Sequence, residues 1–470
     1  MNINPKVFKA YDIRGIYPTD IDEEKYEAII KAIYSFFVRD IGTPSLSVVL
    51  GRDMRVSSPS LHEVAKKALV ELGATVIDIG LTSTPTFYYA CANYGYEVGI
   101  QVTASHNPKE YAGTKFVRVQ DKRVIKIGKN QGMDKVKEYA LTDNFISPKE
   151  GGMVIEKTDV LEDEVKAAIE SIGGVGKLKS IHAACDPANG MGGLYVKKLF
   201  EVLGYKLDVI NGDLDGTFPA HLADPLDFNN LIPLQDLVKK TGAQLGIEPD
   251  GDGDRIFFID EKGEVIPATY ITSLISKMYL KNHPGGTVVV DIRYTRNVQN
   301  VVSSLGGKTY VSKVGHAFIT EDVNREKAFF AGESSGHFYF YETGGAESAV
   351  RVILYVLLAM SEENRPISEI LSSLKSSEES GEYNFILPET LSAQSVMDTV
   401  VSKYSDGELS TQDGIAVTYP GWRFGIRTSN TEPLMRLNVE GENKVLVDEK
   451  LKELTELILS LGAHPKSAGH

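Results

Sequence analysis

A chain of 470 residues is too long for one hydrophobic core and points to about three or four domains. Its composition is that of a globular protein, 42% hydrophobic and 24% charged. A formal charge of −14 argues against a nucleic-acid partner and against attachment to an anionic membrane surface, so an anionic substrate would need Arg and Lys gathered locally against the global field.

The opening MNINPKVFKAYDIRG has no apolar segment of the signal-peptide kind, and its YDIRG turn crowds Lys9, Tyr11, Asp12 and Arg14. The first of three stretches with one layout follows: SVVLGRD, then the helical pattern PSLHEVAKKALVELG, then ATVIDIG. The second copy is IHAACDPANG, GLYVKKLFEVLG and YKLDVING; the third is GTVVVDIRYTRN, VQNVVSSLG and GKTYVSKVG. Each is an apolar strand ending near an acidic residue (Asp53, Asp186, Asp291), an amphipathic helix closing on Leu-Gly, and a second strand. The Leu-Gly pairs predict helix C-caps. Apolar strands alternating with helices predict mixed, mostly parallel sheets covered on both faces. The copies lie a domain length apart, which predicts three tandem, topologically related α/β domains over residues 1–150, 151–260 and 261–370. From 371 to 470 the pattern changes to VMDTVVSKY, the hairpin-like GIAVTYP and RFGIRTS, the alternating LMRLNVEG and the helical EKLKELTELILSL, which predicts a smaller α+β domain with a disordered tail. Cys91 and Cys185, the only cysteines, lie in apolar runs and read as buried thiols. The longest apolar run, Val352 to Met360, falls far short of the ~20 residues of a membrane span, so a cytoplasmic protein is expected.

Four polar loops carry the chemistry. TASHNP (103–108) sets Ser105 beside His106, but adjacent residues rarely form a nucleophile–base pair and no G-x-S-x-G elbow is present. DGDGDR (250–255) puts Asp250, Asp252 and Asp254 at alternate positions, where an extended loop lets them converge on one hard cation. An EF-hand is the competing reading, with Glu261 at loop position twelve, but Arg255 stands at position six and the flanks read as strands; an unliganded acidic turn is the other. GESSGH (332–337) presents Glu333, Ser335 and His337 on one side, suited to sugar hydroxyls or equally to a surface loop. RTSNTEP (427–433) suits a phosphate or a polar hairpin turn. With one such loop per domain, a single cleft at a four-domain junction is expected.

These strings, in this order and over essentially the whole chain, resemble the α-D-phosphohexomutase superfamily, closest to its bacterial phosphomannomutase/phosphoglucomutase branch. The resemblance implies a heart-shaped arrangement of four domains around one cleft. It implies that Ser105 is the phosphoserine and a ligand, with Asp250, Asp252 and Asp254, of Mg²⁺. Arg255 would fix the phosphoryl group; Lys115 and His316 match positions implicated in proton transfer, and His106 supports the loop. Glu333, Ser335 and His337 would take the sugar, Tyr11 and Arg14 belong to the N-terminal motif, and Arg427, Ser429, Asn430 and Thr431 would bind the phosphate that is not reacting. The implied activity interconverts hexose 6- and 1-phosphates of mannose or glucose through a hexose 1,6-bisphosphate that turns over in the cleft. A phosphoglucosamine mutase and a non-catalytic phosphosugar-binding protein are the alternatives. The phosphosugar is the expected partner, with a monomer or weak homo-oligomer as the assembly. Four departures stand out: GGAES (344–348) lacks the Asp-Gly pair expected after the sugar motif, Arg293 stands where relatives often have Lys, Glu248-Pro249 precedes the metal loop, and the fourth-domain turn reads Ser429-Asn430-Thr431 where phosphoglucosamine mutases typically have Ser-Gly-Thr, which points toward neutral hexose phosphates.

Overall fold

Each repeated stretch folds as its pattern predicts. In a computed structural model, which describes residues 3–428 and 434–466, strand Ser47–Arg52, helix Ser58–Glu71 and strand Thr75–Leu81 form the first parallel unit. Ala183–Cys185, Gly192–Leu203 and Leu207–Val209 form the second. Thr287–Asp291, Arg296–Ser304 and Lys308–Ser312 form the third. The helices stop where Leu-Gly predicts, with Gly73, Gly204 and Gly306 at φ +85°, +66° and +72°, a region glycine enters without a Cβ clash.

On the other side of its lead strand, each sheet adds one parallel strand and then an antiparallel return. These pairs are Val98–Val102 with Tyr111–Gln120, Leu245–Pro249 with Ile256–Ile259, and Phe330–Gly332 with Phe338–Phe340. The sheets are therefore mixed, with the parallel pairings around the lead strand and the antiparallel ones at one side. The connections inside these three pairs are residues 103–110, 250–255 and 333–337. TASHNP, DGDGDR and the end of GESSGH thus occupy one topological position in three domains, at the carboxyl end of a parallel strand, where α/β sheets hold their ligands.

The fourth domain is an antiparallel sheet built on Trp422–Thr428, Leu434–Gly441 and Glu378–Ile386, covered by helices Ala393–Lys403 and Lys444–Ser460. Its core gathers Phe424, Ile426, Leu437, Val439, Leu454 and Ile458. The tail expected to be free is pinned as far as His464–Pro465, which pairs with Phe385 and Ile386 and completes the sheet. Three short elements lie across the divisions expected at 150, 260 and 370: Met153–Glu156 edges the first sheet, Val265–Ile266 the second, and helix Ile367–Ser372 packs into the third domain.

The second and third domains share one core, in which Leu199, Phe200 and Ile247 meet Leu274, Ile353 and Leu357. The longest apolar run lies in helix Ala349–Glu363, buried from residue 349 to 361 between these domains. No helix among the described residues is long and apolar enough to cross a membrane. The GGAES departure is explained here. Glu347 lies buried with both carboxylate oxygens 2.6 Å from Lys126 Nζ of the first domain, so this segment brings its own carboxylate to the junction. The fourth domain docks through buried Glu440, whose carboxylate accepts from the backbone N–H groups of Thr295 (3.0 Å) and Arg296 (2.8 Å) at the start of helix Arg296–Ser304, and from Arg423 (3.1 Å). An anion there also meets the positive end of the helix.

At the junction of the first two domains, Glu164 Oε2 accepts from Thr86 Oγ1 at 2.7 Å, and its Oε1 is buried without a hydrogen bond among the described residues. Burial pushes this carboxyl up from 4.5 to about 7. Between those values the unfolded chain has released the proton and the folded one still holds it, so the group costs stability as pH rises from 4.5 to 7, and no more above. The difference amounts to about 3 kcal/mol at most. Glu164→Gln keeps an acceptor for Thr86 and removes the titration. It is expected to raise the thermal midpoint by a few degrees at pH 8 and to give no gain at pH 4; an unchanged or lower midpoint at pH 8 would refute this.

Candidate active site

The serine loop leaves strand Val98–Val102 and bends sharply at Ser105, whose φ of +52° is one that residues with a Cβ seldom adopt. Its N–H donates to Thr103 Oγ1 at 3.0 Å, and its hydroxyl donates across the domain boundary to Asp250 Oδ2 at 3.2 Å. His106 Nδ1 also lies 3.2 Å from Ser105 Oγ. Burial, with Arg255 and Arg14 nearby, holds the His106 imidazole well below its usual range, so it is neutral. Arg14, oriented by Asp12 at 2.7 Å, donates to Ala104 O at 3.3 Å and to the Asn107 side chain.

The acidic loop packs directly onto this turn: a Cβ at Gly251 would lie 2.5 Å from Ser105 O, so only glycine fits. Asp250 Oδ1 accepts from the N–H groups of Gly253 (3.0 Å) and Arg255 (3.1 Å), which curls the loop. The three aspartates are buried, and they offer oxygens within 4.8 Å of one another. Asp252 Oδ2 accepts from Thr84 Oγ1 (2.7 Å) and Lys115 Nζ (2.6 Å), and Lys115 also contacts Asp254 Oδ2. Asp252 Oδ1 accepts no hydrogen bond among the described residues, while Asp254 Oδ1 has His337 Nε2 beside it at 3.2 Å. An orphaned buried carboxylate oxygen is costly unless something cationic meets it, and the set of three aspartates fits a hard divalent ion. Burial opposes charge on Lys115, but Asp252 and Asp254 outweigh it and hold the ammonium protonated. The EF-hand alternative fails on geometry, since Glu261 instead accepts from Ser368. A second acidic set, Asp254, His337 and Glu347, is also close enough for a metal, but Lys126 already meets both Glu347 oxygens.

The third loop reaches the second through its backbone, with Ile256 N–H donating to Gly336 O at 2.9 Å, and through His337, whose Nε2 lies 3.2 Å from Asp254 Oδ1. His337 Nδ1 faces Ser335 Oγ (3.2 Å) and Glu333 Oε2 (3.3 Å). Burial would lower this histidine, but Asp254 and Glu333 outweigh it and lift it to about 9. Glu333 also accepts from Tyr339 (2.9 Å) and Arg293 (2.9 Å), and Arg293 further reaches Ser335 Oγ at 3.3 Å while anchored on Asp291. His316, at the start of helix His316–Glu326, packs edge-on against Tyr11 at 5.4 Å between ring centres. Burial and the cations Lys126 and Lys115 keep it neutral. Arg427 of the fourth domain is buried on Glu382 (2.8 Å), with its Nε unpartnered among the described residues, and lines one small cavity with Arg293 and Asp413. Ser429, Asn430 and Thr431 lie outside the described residues.

Four domain models, described as phosphoglucomutase/phosphomannomutase alpha/beta/alpha domains I, II and III and C-terminal domain, match residues 5–143, 166–263, 267–377 and 390–457. The chain belongs to the phosphoglucomutase/phosphomannomutase family. It is 34% identical to a phosphomannomutase of Methanocaldococcus jannaschii over 459 residues, covering 97% of this chain and 98% of that one. A Vibrio cholerae phosphomannomutase is 35% identical over 465 residues, with coverage of 97% and 98%. The crystal structure of a phosphoglucomutase/phosphomannomutase family protein from Burkholderia thailandensis superposes with a TM-score of 0.86 at 28% identity, over 99% of this chain and all of that one.

Among the site residues expected for a member of this family, the fold brings Ser105, His106, Lys115, Arg14 and the three aspartates into one connected network, and Glu333, Ser335 and His337 join it through Asp254. The Arg255 side chain reaches only Asp224 among the described residues, at 3.5 Å, while its N–H holds Asp250. Sequence reasoning passed over Thr84, although STP at the start of helix Thr84–Tyr94 is a cap signature: Ser83 Oγ accepts from Thr86 N–H, and Pro85 sits in the first turn. Thr84 turns that helix start onto the acidic loop, its N–H donating to Asp252 O at 2.9 Å. Arg293 was noted only as a departure. Here it braces the very carboxylate assigned to the sugar.

Proposed function

We propose that the chain is a phosphohexomutase that interconverts the 6- and 1-phosphates of mannose or glucose by way of a phosphorylated Ser105. The observation that carries this reading is the pairing of Ser105 Oγ with Asp250, 3.2 Å away, in a buried triad of aspartates that leaves Asp252 Oδ1 without a donor among the described residues. Asp250, Asp252 and Asp254, with an oxygen of the phosphorylated serine, would hold Mg²⁺, which when bound neutralises charge on the phosphoryl oxygens.

In this reading the free hydroxyl of the sugar phosphate attacks the phosphorus on Ser105. The new oxygen–phosphorus bond forms as the Ser105 Oγ–phosphorus bond breaks, leaving a hexose 1,6-bisphosphate. The departing hydroxyl proton needs an unprotonated base, and His316 is in that state. Lys115 is held protonated, so it serves as a donor and as a charge against the phosphoryl group. Glu333, Ser335 and His337 grip sugar hydroxyls in either orientation, and Arg427 with Ser429, Asn430 and Thr431 takes the distal phosphate. The bisphosphate turns within the cleft and returns its other phosphoryl group to Ser105. Little covalent work is asked of the protein; positioning and electrostatics do most of it.

The test is kcat/KM for mannose 1-phosphate, glucose 1-phosphate and glucosamine 1-phosphate with Mg²⁺ and a priming bisphosphate. Turnover of the first two is expected. Preference for the amino sugar would reassign the enzyme to phosphoglucosamine, and no turnover of any would leave a phosphosugar-binding protein.

A further inference from the structure

We propose that Arg55 is the positioning residue that holds the serine loop in its transferring shape, an inference that rests on the mutase reading. Arg55 was not among the residues the sequence singled out, and its side chain is fully buried. Its Nη1 donates to Pro108 O (2.8 Å) and Tyr111 O (3.2 Å), and its Nη2 to Ser105 O (2.7 Å) and Asn107 O. Two guanidinium nitrogens therefore meet four backbone carbonyls, three of the loop and that of Tyr111 at the start of the return strand; Pro108 O also accepts from Tyr111 N–H at 3.0 Å. Those carbonyls point inward together, and buried carbonyls need partners. The Ser105 and Asn107 carbonyls lean on the arginine most, since a loop bent to show both to one side has few other ways to pair them.

The same bend puts Ser105 at φ +52°, a conformation that persists only when its surroundings over-determine it. The arginine is in turn fixed from every side. Asp53 Oδ2 lies 3.4 Å from its Nε, and Asp53 Oδ1 accepts from Arg55 N–H (3.0 Å) and Ser58 Oγ (2.5 Å). The Phe218 ring lies 5.1 Å from the guanidinium carbon, and a Cβ at Gly216 would come within 2.6 Å of Arg55 Cα, so a loop of the second domain is pressed over it. No hydrogen bond or ion pair among the described residues joins Arg55 to the acidic loop or to the 333–337 loop; its charge acts on Asp250 and Asp252 through space, and a lysine keeps that charge. What a change of side chain at the same charge alters is the position of Ser105 Oγ.

Lysine keeps the charge but replaces a planar fork with one point donor, which cannot serve four carbonyls. Arg55→Lys is therefore expected to lower kcat by about 100-fold, the scale of an ångström-sized misplacement of a reacting group. The KM for hexose 1-phosphate and the Mg²⁺ affinity by calorimetry should stay within about threefold of wild type. Phosphorylation of Ser105 by glucose 1,6-bisphosphate, followed by intact mass in a quenched time course, should slow in parallel with kcat. A folded Arg55→Lys protein with kcat within threefold of wild type overturns the proposal. So does a loss shared equally by KM and ion affinity, which would mark a general scaffold residue. Should that variant not fold, Asp53→Asn loosens the arginine without removing it, and a roughly tenfold fall in kcat at constant KM supports the proposal while an unchanged kcat refutes it. An inactive wild-type protein would instead defeat the mutase reading itself.

Discussion

Ser105→Ala is expected to remove turnover by roughly 10⁶-fold, the scale seen when a covalent nucleophile is deleted. Alanine loses only the oxygen that carries the phosphoryl group. The contacts that shape the loop run through backbone atoms, including the Ser105 N–H to Thr103 and the Ser105 carbonyl to Arg55. The variant should therefore fold, with a thermal midpoint within a few degrees of wild type. It should still bind Mg²⁺ through the aspartates, and it should show no phosphoryl adduct by intact mass after exposure to glucose 1,6-bisphosphate. Retention of even about 1% of wild-type kcat would sink the phosphoserine mechanism, because no other hydroxyl among the described residues approaches Asp250 within hydrogen-bond distance.

The second large effect is expected for Asp252→Asn. Hard divalent ions need anionic oxygen, and Asp252 is the aspartate braced from two sides, by Thr84 and by Lys115. Asparagine has the same shape and keeps an acceptor for Thr84, while Lys115 retains Asp254, so folding is not at stake. Ion affinity should drop by about 100-fold or more, and kcat at fixed Mg²⁺ by roughly 10³-fold. Thermal shift gives an independent readout. An ion at about 100 times the wild-type Kd stabilises wild type by about 2.7 kcal/mol and the variant by well under 1 kcal/mol. Chelation should bring the wild-type midpoint down to the level of the variant. Equal ion-induced shifts in both proteins would show that Asp252 is not a ligand.

The Glu333 end of the network is organised around charge. His337, protonated at neutral pH, stands between Glu333 and Asp254, and Arg293 holds Glu333 from the other side. A carboxylate flanked this way stays ionised and fixed. Arginine at 293 suits this bracing role through its fork to Asp291, Glu333 and Ser335, whereas a lysine would offer one point charge. The Glu248 departure has a different character. Burial holds that carboxyl well above its usual range, Asp186 nearby raises it further, and the structure offers no account of why it is there.

What the sequence determined by itself was local and periodic. Apolar strands, amphipathic helices and Leu-Gly stops are recorded residue by residue, because burial on one face and a left-handed cap each leave their own signature in the side chains. Three copies of that signature were enough to reveal tandem domains, and alternate carboxylates in DGDGDR were enough to suggest a cation. Tertiary structure alone decided what meets what. That TASHNP, DGDGDR and the end of GESSGH are one loop position used three times could not be read from strings that share no common pattern, since their equivalence lies in sheet order. Arg55, Thr84 and the Lys126–Glu347 pair were invisible for the same reason. Each is an ordinary polar residue in its own segment, and it gains a role only when another segment, up to 221 residues away, is packed against it and excludes water from the contact.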